Sequence, residues 1–226
     1  MIKPADSGAD IPVIAIDGPG GSGKGTIAIR LADFLGWHVL DSGSLYRLTA
    51  LAVRNKRVPL DDETALGEVA ANLDIRFETS GDGVRALLDE QDVTDLIRSE
   101  DIGVIASMIA AIPSVRASLY ERQRRFRQAP GLVADGRDMG TVVFPDARLK
   151  IFLTASAEVR AERRYKQLKE KGESVNLTRL FREIKARDLR DQSRSIAPLR
   201  PADDAVIIDS TGLDIDEVFN KVVSLM

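Results

Sequence analysis

The chain has 226 residues, with 32 Lys and Arg against 35 Asp and Glu, a single His and no Cys. The lack of cysteine excludes disulfide frameworks, Cys-ligated zinc or iron–sulfur sites and thiol catalysis. The one histidine, His38, lies in the apolar run 37–40 and is interpreted as a strand residue rather than the base of a hydrolytic triad. Length, 44% hydrophobic residues and 30% charged residues indicate a globular protein of one domain with room for a small insertion.

The distribution of charge is more informative than its sum. Residues 158–200 carry 13 Lys and Arg against 7 Asp and Glu, a net charge of +6, so the formal total of −3 leaves −9 for the rest of the chain. A basic segment on an acidic body favours a compact polyanionic ligand and argues against binding to a nucleic acid. No apolar stretch approaches the roughly 18–20 residues of a membrane span, and segment 1–10 lacks the apolar region of a signal peptide. The sequence predicts a cytoplasmic protein without membrane association.

Strand and helix signals alternate along the first 60 or so residues. The patterns predict a strand over 11–17, a helix over 24–35, a strand over 37–41, a helix from 42 through 51 and another from 61. Between residues 73 and 97 the pattern changes to two strands, 74–79 and 84–89, joined by a turn at 80–83. This segment is predicted to be a small antiparallel insertion.

The remaining elements return to alternation. The patterns predict helices over 99–112 and 113–128, strands over 132–135 and 149–153, helices over 156–171 and 176–194, a strand over 205–209 and a helix over 214–225. Strands that alternate with helices indicate an α/β fold with a parallel sheet flanked by helices.

A glycine-rich loop follows the first predicted strand and precedes the first predicted helix. It fits the phosphate-loop pattern G-x-x-x-x-G-K and consists of Gly18, Pro19, Gly20, Gly21, Ser22, Gly23, Lys24, Gly25 and Thr26. Glycines let successive backbone N–H groups face a phosphate, the helix N-terminus adds positive potential, and Lys24 is expected to contact the β- and γ-phosphates. The Ser or Thr that usually follows the lysine and ligates Mg²⁺ is Gly25 here, so Thr26 is left to donate to a phosphate oxygen.

Polar clusters follow two other predicted strands, where open α/β sheets bind their ligands. Asp135 is placed like a Walker B carboxylate that organises Mg²⁺ through water, and a solvated strand-end aspartate is the alternative. Arg47 and Arg137 are predicted to converge on one anionic group. A surface salt bridge is the alternative for each arginine taken alone.

The late helix places Arg187, Asp191 and Arg194 on one face. Spacing alone favours an exposed, salt-bridged helix. The functional alternative is a mobile cover, built from two charged helices joined near Gly172, which excludes water during phosphoryl transfer.

Four segments of the chain resemble bacterial cytidylate kinases, enzymes similar to adenylate kinase that phosphorylate CMP and dCMP with ATP. These segments are 16–26, 40–47, 131–146 and 184–194, and the third is the most diagnostic. The resemblance covers nearly the whole chain and implies a single P-loop NTPase-type kinase domain over 1–226. Within it, 73–97 is implied to be the NMP-binding insertion, and 156–194 the helical lid with substrate-binding helices.

The resemblance also implies roles for individual residues. Cytosine is expected to be recognised by Ser107, Arg116 and Asp138, and the sugar hydroxyls by Arg187 and Asp191. The acceptor phosphate is expected to be bound by Ser42, Arg47, Arg137 and Arg194. The lid over ATP is expected to include Arg160, Arg163 and Arg164, with Arg163 as the assigned ATP contact. Catalysis is expected to depend on Lys24, Arg137 and Arg194, with Mg²⁺ as cofactor and no protein side chain assigned as its ligand.

The implied reaction needs no general base, because the acceptor phosphate is already a nucleophile near neutral pH. The protein is then expected to catalyse the reaction by positioning the two phosphates and by compensating their negative charge. Alternatives are a kinase for UMP, dTMP or a metabolite hydroxyl, a regulatory NTPase, and a nucleic-acid-dependent ATPase. The missing Asn-Lys-x-Asp motif argues against a GTPase, and family resemblance favours a monomer.

Overall fold

The computed structural model describes residues 11–80 and 83–226, without the side chains of residues 79–84. In chain order the strands are β1 (Val13–Asp17), β2 (His38–Asp41), β3 (Ile75–Ser80), β4 (Gly83–Leu88), β5 (Gln91–Asp92), β6 (Leu132–Gly136), β7 (Leu149–Thr154) and β8 (Val206–Asp209). The helices are α1 (Lys24–Leu35), α2 (Ser42–Lys56), α3 (Glu63–Ala71), α4 (Glu100–Ile109), α5 (Pro113–Arg124), α6 (Ala157–Glu170), α7 (Leu177–Gln192) and α8 (Ile215–Val223). A 3₁₀ turn spans Leu96–Arg98, and a π-helical turn spans Met139–Val143.

The chain divides into two units. The first comprises the segment up to Asp41 and the segment Gln123–Met226, and the second is Ser42–Arg122. The first unit therefore holds the phosphate loop, α6 and α7, whereas the second holds α2 to α5 and the antiparallel strands.

A five-stranded parallel sheet organises the first unit, in the order β2-β6-β1-β7-β8. Every residue of β1 and β6 is buried, as expected for central strands covered on both faces. The register places Asp17 opposite Gly136 and Asp41 opposite Asp135. Because parallel strands end at the same edge, this register brings the polar strand ends together beside the phosphate loop.

The core of the first unit packs the central strands against α1. Ile14 and Ile16 of β1 lie in one buried cluster with Ile27 and Leu31, which are one turn apart on α1. Burial of this face of α1 holds the helix start, and so Lys24, at the end of β1.

The second unit has its own core and a small sheet. Buried side chains of α2, α3, α4 and α5 form one cluster that includes Leu51, Leu66, Ile102 and Leu119. Strands β3, β4 and β5 pair antiparallel in sequence order, as the alternating pattern predicts for the first two. The predicted turn at 80–83 includes residues 81 and 82, which lie outside the described residues, as does segment 1–10.

The predicted fold class is confirmed, and the differences are local. Helices α4 and α5 end at Ile109 and Arg124 rather than at 112 and 128, and the two-residue strand β5 was not predicted. His38 lies on the edge strand β2 with its Nε2 3.0 Å from the carbonyl oxygen of Ala129, which confirms its interpretation as a strand residue.

No single helix among the described residues is long and apolar enough to cross a membrane. Helices α4 and α5, bent at 101° to each other, pass that test of length and composition only when they are counted together.

Candidate active site

The phosphate loop connects β1 to α1 as the sequence predicts. A Cβ at Gly18 would lie 2.0 Å from the carbonyl oxygen of Leu153 on β7, so any side chain there would collide with the backbone of the sheet. Gly23 caps α1 with a φ of 94°, a left-handed conformation that glycine adopts without strain. These two glycines allow the chain to turn tightly from the central strand into the helix whose N-terminus faces the loop.

Lys24 and Asp135 form a buried ion pair next to this loop. Lys24 Nζ lies 3.4 Å from Asp135 Oδ1. Burial lowers the pKa of Lys24, opposed by the charge of Asp135. Burial also raises the pKa of Asp135 to about 6, against the opposing charge of Lys24. The pair therefore places a desolvated ammonium group where phosphate oxygens would add the negative charge that favours its protonated form.

The glycine that departs from the usual phosphate-loop pattern has a structural explanation. A Cβ at Gly25 would lie 3.1 Å from Asp135 Oδ2, a distance that requires the carboxylate to move. The Asp135 carboxylate therefore occupies space that the side chain of a Ser or Thr at this position would enter.

Asp135 is also the carboxylate that fits Mg²⁺. Magnesium prefers oxygen ligands and is usually held by one or two carboxylates together with phosphate oxygens and waters. Among residues 11–80 and 83–226 no group of three or more His, Cys, Asp or Glu could hold a metal ion.

Three arginines that were predicted to act on the substrate converge on Asp191. This carboxylate is only 1% exposed, and Arg137 donates to it from Nε at 2.7 Å. Arg194 also donates to it, and Arg187 Nε lies 3.9 Å away. Arg187 and Asp191 lie one turn apart on α7 as predicted, but the helix ends at Gln192 rather than at 194, so Arg194 contacts Asp191 from beyond the helix end. The centre of the predicted face is buried, so the interpretation as an exposed helix is wrong at that position.

Arg137 also contacts the phosphate loop. Its Nη1 donates to the carbonyl oxygen of Gly18 at 2.6 Å. A Cβ at Gly20 would lie 3.4 Å from Arg137 Nη2 and 3.6 Å from Arg187 Nη1. The guanidinium groups of both arginines therefore lie beside the loop that is predicted to hold the phosphates of the donor.

Arg160, on the first turn of α6, contacts the backbone of the phosphate loop. It donates from Nε to Ala155 O at 3.0 Å, from Nη1 to Gly20 O at 3.1 Å, and from both terminal nitrogens to Asp188 on α7. Arg160 therefore links α6, α7 and the phosphate loop.

Arg163, the assigned ATP contact, also donates to backbone oxygens in this structure. Its Nη1 lies 3.3 Å from Ser22 O and 3.1 Å from Ser210 Oγ, and its Nη2 donates to Ser210 O at 2.7 Å. Ser210 Oγ in turn lies 3.2 Å from Ser22 O. Arg163 and Ser210 thus fix the loop after β8 to the phosphate loop, and the contact to ATP stays a prediction.

Four predicted substrate residues belong to the second unit. Arg47, on α2, donates from Nη1 to the carbonyl oxygens of Ile97 and Ser99 at 2.6 and 3.0 Å. A Cβ at Gly103 of α4 would lie 2.8 Å from Arg47 Nη2, so the guanidinium rests directly on that helix. The structure therefore presents Arg47 in a defined position between the 3₁₀ turn and α4.

The other three predicted residues of this unit are buried or held by polar contacts. Ser42, the first residue of α2, and Ser107 on α4 are buried. Arg116 donates to the hydroxyl of Tyr46 and to the carbonyl oxygen of Ala110, both at 3.3 Å. Their predicted roles toward CMP stay predictions, as does that of Asp138, a buried residue of the first unit.

Sequence reasoning missed three residues that shape the site: Asp17, Asp188 and Ser210. Asp17 carried a usable signal, because a carboxylate at the end of an otherwise apolar buried strand requires hydrogen-bond partners. Asp188 and Ser210 carried none, since charged helix residues and serines after strands are common in exposed positions.

The family model for cytidylate kinase matches residues 14–226. The chain belongs to the cytidylate kinase family. The cytidylate kinase of Stutzerimonas stutzeri (strain A1501) is 58% identical, covering 99% of this chain and 96% of that protein. The cytidylate kinase of Pseudomonas syringae pv. tomato is 60% identical, covering 94% of both. The solved structure of TT1252 from Thermus thermophilus is 22% identical with a TM-score of 0.45 and covers 95% of each chain. The predicted membership of the cytidylate kinase family is confirmed.

Proposed function

We propose that this chain transfers the γ-phosphoryl group of ATP to CMP or dCMP and releases CDP or dCDP. The observation that carries the proposal is the position of Arg137, which joins the phosphate loop to Asp191 through hydrogen bonds to Gly18 O and to the carboxylate. One guanidinium therefore stands next to both the donor-phosphate loop and the helix α7 that is predicted to bind the acceptor. This arrangement suits transfer between two phosphates better than hydrolysis of one.

The donor phosphates are bound by the phosphate loop. Backbone N–H groups from Gly20 to Gly25 surround the β-phosphate, Thr26 donates to a phosphate oxygen, and Lys24 contacts the β- and γ-phosphates. The buried position of Lys24 beside Asp135 strengthens its attraction to phosphate, since desolvated charges interact more strongly.

The acceptor phosphate takes the place of Asp191 as partner of the arginines. Arg137 and Arg194 both donate to that carboxylate, so their side chains are ordered before the acceptor binds. A phosphate recruits such pre-ordered guanidinium groups at a smaller loss of side-chain entropy. Asp191 then accepts hydrogen bonds from the sugar hydroxyls, and Arg187 donates hydrogen bonds to the sugar oxygens.

The remaining acceptor contacts are assigned from the family resemblance. By the family resemblance, Ser42 and Arg47 are assigned to the phosphate of CMP, and Ser107, Arg116 and Asp138 are assigned to its base. Residues 73–97, which include β3, β4 and β5, are assigned to the NMP-binding insertion. Residues 156–194, which include α6 and α7, are assigned to the lid, with Arg163 as its ATP contact.

Mg²⁺ is the metal that the residues fit. Asp135 would hold it through water, and the bound ion would neutralise charge on the transferring phosphoryl group. Neither a general base nor a covalent intermediate on the protein is needed, because the acceptor phosphate attacks directly. The monomeric state and the cytoplasmic location stay predictions from the sequence.

The reaction is tested by ATP consumption in a coupled assay with CMP, dCMP, UMP, dTMP and no acceptor. We expect turnover with CMP and dCMP and none without an acceptor. ATP loss that does not depend on an acceptor would instead identify an NTPase, and turnover with UMP or dTMP alone would identify a different nucleotide kinase.

The role of Arg137 is tested by Arg137→Ala. Turnover is expected to fall by roughly 100- to 1,000-fold, the loss typical of a group that stabilises transition-state charge. Arg179→Ala on α7 is the matched control, because Arg179 is 77% exposed and pairs with Glu183, one turn further along the same helix. Near-normal turnover in Arg137→Ala would contradict the proposed mechanism.

A further inference from the structure

The carboxylate of Asp17 binds two successive backbone N–H groups from a distant part of the chain. Its Oδ1 accepts from Met139 N at 2.8 Å and its Oδ2 accepts from Gly140 N at 2.8 Å. Asp17 is 4% exposed and ends the central strand β1. The mechanism described above does not use this carboxylate, and yet it lies directly before the phosphate loop.

The two amides begin the π-helical turn Met139–Val143. The first N–H groups of any helical turn have no acceptor within the turn itself. Asp138, the residue that precedes this turn, does not cap it with its side chain. Asp17 thus supplies from β1 the acceptors that a local side chain would ordinarily provide.

The backbone next to Asp17 contacts the same segment a second time. The carbonyl oxygen of Gly18 accepts from Arg137 Nη1 at 2.6 Å. The dipeptide Asp17–Gly18 therefore holds Arg137 at its guanidinium and holds the following turn at its amides. Both contacts lie within the first unit, so they relate the phosphate loop to Arg137 directly.

Gly140 allows this close approach. A Cβ there would lie 3.4 Å from Asp17 Oδ2 and 3.2 Å from the aliphatic carbons of Lys150. An alanine methyl at position 140 would therefore press on the Lys150 side chain and lie in van der Waals contact with the Asp17 carboxylate.

We propose that Asp17 is a positioning residue for phosphoryl transfer: by fixing the amides of Met139 and Gly140, it sets where Arg137 stands beside the phosphate loop. The inference rests on the proposed function, since it assigns its effect to Arg137. A purely structural carboxylate would support stability only, and the folded enzyme that remains after its replacement would react normally.

Asp17→Asn is the first test, because it keeps the shape of the side chain. It replaces one carboxylate oxygen with an NH₂ group, which then faces the backbone N–H of Met139 or Gly140. We expect kcat to fall about tenfold or more and the KM for CMP to rise, with the KM for ATP changed less than twofold. Hydrogen exchange at the amides of Met139 and Gly140 is expected to be about tenfold faster than in the unaltered protein.

Asp209→Asn is the matched control. Asp209 also ends a strand of the sheet and accepts from a backbone amide, that of Thr211 at 2.9 Å, but it lies on β8 and is exposed. Its replacement is expected to leave kcat and both KM values unchanged.

Gly140→Ala is the second variant and removes no polar group, so it covers the case in which Asp17→Asn does not fold. Its kcat is expected to fall roughly threefold to tenfold with little change in the KM for ATP. The inference would be overturned if kcat and the KM for CMP were unchanged in Asp17→Asn and Gly140→Ala, or in whichever of the two folds. If Arg137→Ala loses turnover in that case, the proposed function stands and only the positioning role of Asp17 fails. If Arg137→Ala keeps normal turnover as well, the proposed function itself fails.

Discussion

Replacing Asp188 by alanine would remove the carboxylate that pairs with a buried guanidinium. Arg160 and Asp188 contact each other through two hydrogen bonds, of 3.0 and 2.5 Å, and their side chains are 5% and 17% exposed. After the substitution Arg160 keeps two acceptors, the carbonyl oxygens of Ala155 and Gly20. Its charge, however, stays buried without a counter-charge.

The expected cost follows from this geometry. Removal of one partner of a fully buried ion pair destabilises a protein by about 3–5 kcal/mol. The partial exposure of Asp188 and the two remaining acceptors of Arg160 reduce the expected loss in the free energy of unfolding to about 2–3 kcal/mol. For a chain of 226 residues this corresponds to a fall in Tm of roughly 4–12 °C.

Thermal and denaturant unfolding of Asp188→Ala provide the measurement. Glu183→Ala on the same helix is the control, because the Arg179–Glu183 pair is exposed and of the i,i+4 type. That variant should lose only about 0.3–0.5 kcal/mol. Equal losses in the two variants would refute the reasoning that burial decides the contribution of the Arg160–Asp188 pair.

Two further predictions concern Gly103 and Asp17. Gly103→Ala should displace the Arg47 guanidinium, since the new Cβ would lie 2.8 Å from its Nη2. Steady-state kinetics should show that the KM for CMP rises about tenfold, which corresponds to the loss of about one charge-assisted hydrogen bond. An unchanged KM for CMP would contradict the assignment of Arg47 to the acceptor phosphate. Burial raises the pKa of Asp17 from 3.8 to about 7, so the folded state keeps a proton that the unfolded state releases between those values. Relative to Asp17→Asn, the unaltered protein should therefore lose roughly 3 kcal/mol in unfolding free energy as the pH rises from about 4 to 7. Denaturant titrations that show a constant difference between the two proteins would contradict this.

Much of the fold follows from local patterns in the sequence. Helix α1 runs from Lys24 to Leu35, the predicted bounds, because a phosphate-loop glycine precedes it and Gly36 in a left-handed conformation ends it. Elements that lack such signals were predicted less well. The π-helical turn Met139–Val143 was missed because its first amides are capped by Asp17 of β1, which precedes Met139 by 122 positions.

In the candidate site, too, some placements follow from local sequence patterns and others do not. The type and spacing of residues in the phosphate loop predict their placement, and so does the helical spacing of Arg187 and Asp191 on α7, because each set lies within one local element. The partners of Arg160 and Arg163 were not predictable. A charged helix presents many donors to its surroundings, and only packing decides which carbonyl oxygens they meet.

The sequence by itself determined the cytidylate kinase family, the α/β class and the position of the glycine-rich phosphate loop between β1 and α1, since these depend on residue types at short, fixed spacings. The tertiary structure decided that Asp191 is buried among arginines, that Asp135 fills the space beside Gly25, and that Asp17 holds the turn after Arg137. These contacts join residues far apart in the chain, and their strength comes from burial, which no local pattern of residues contains.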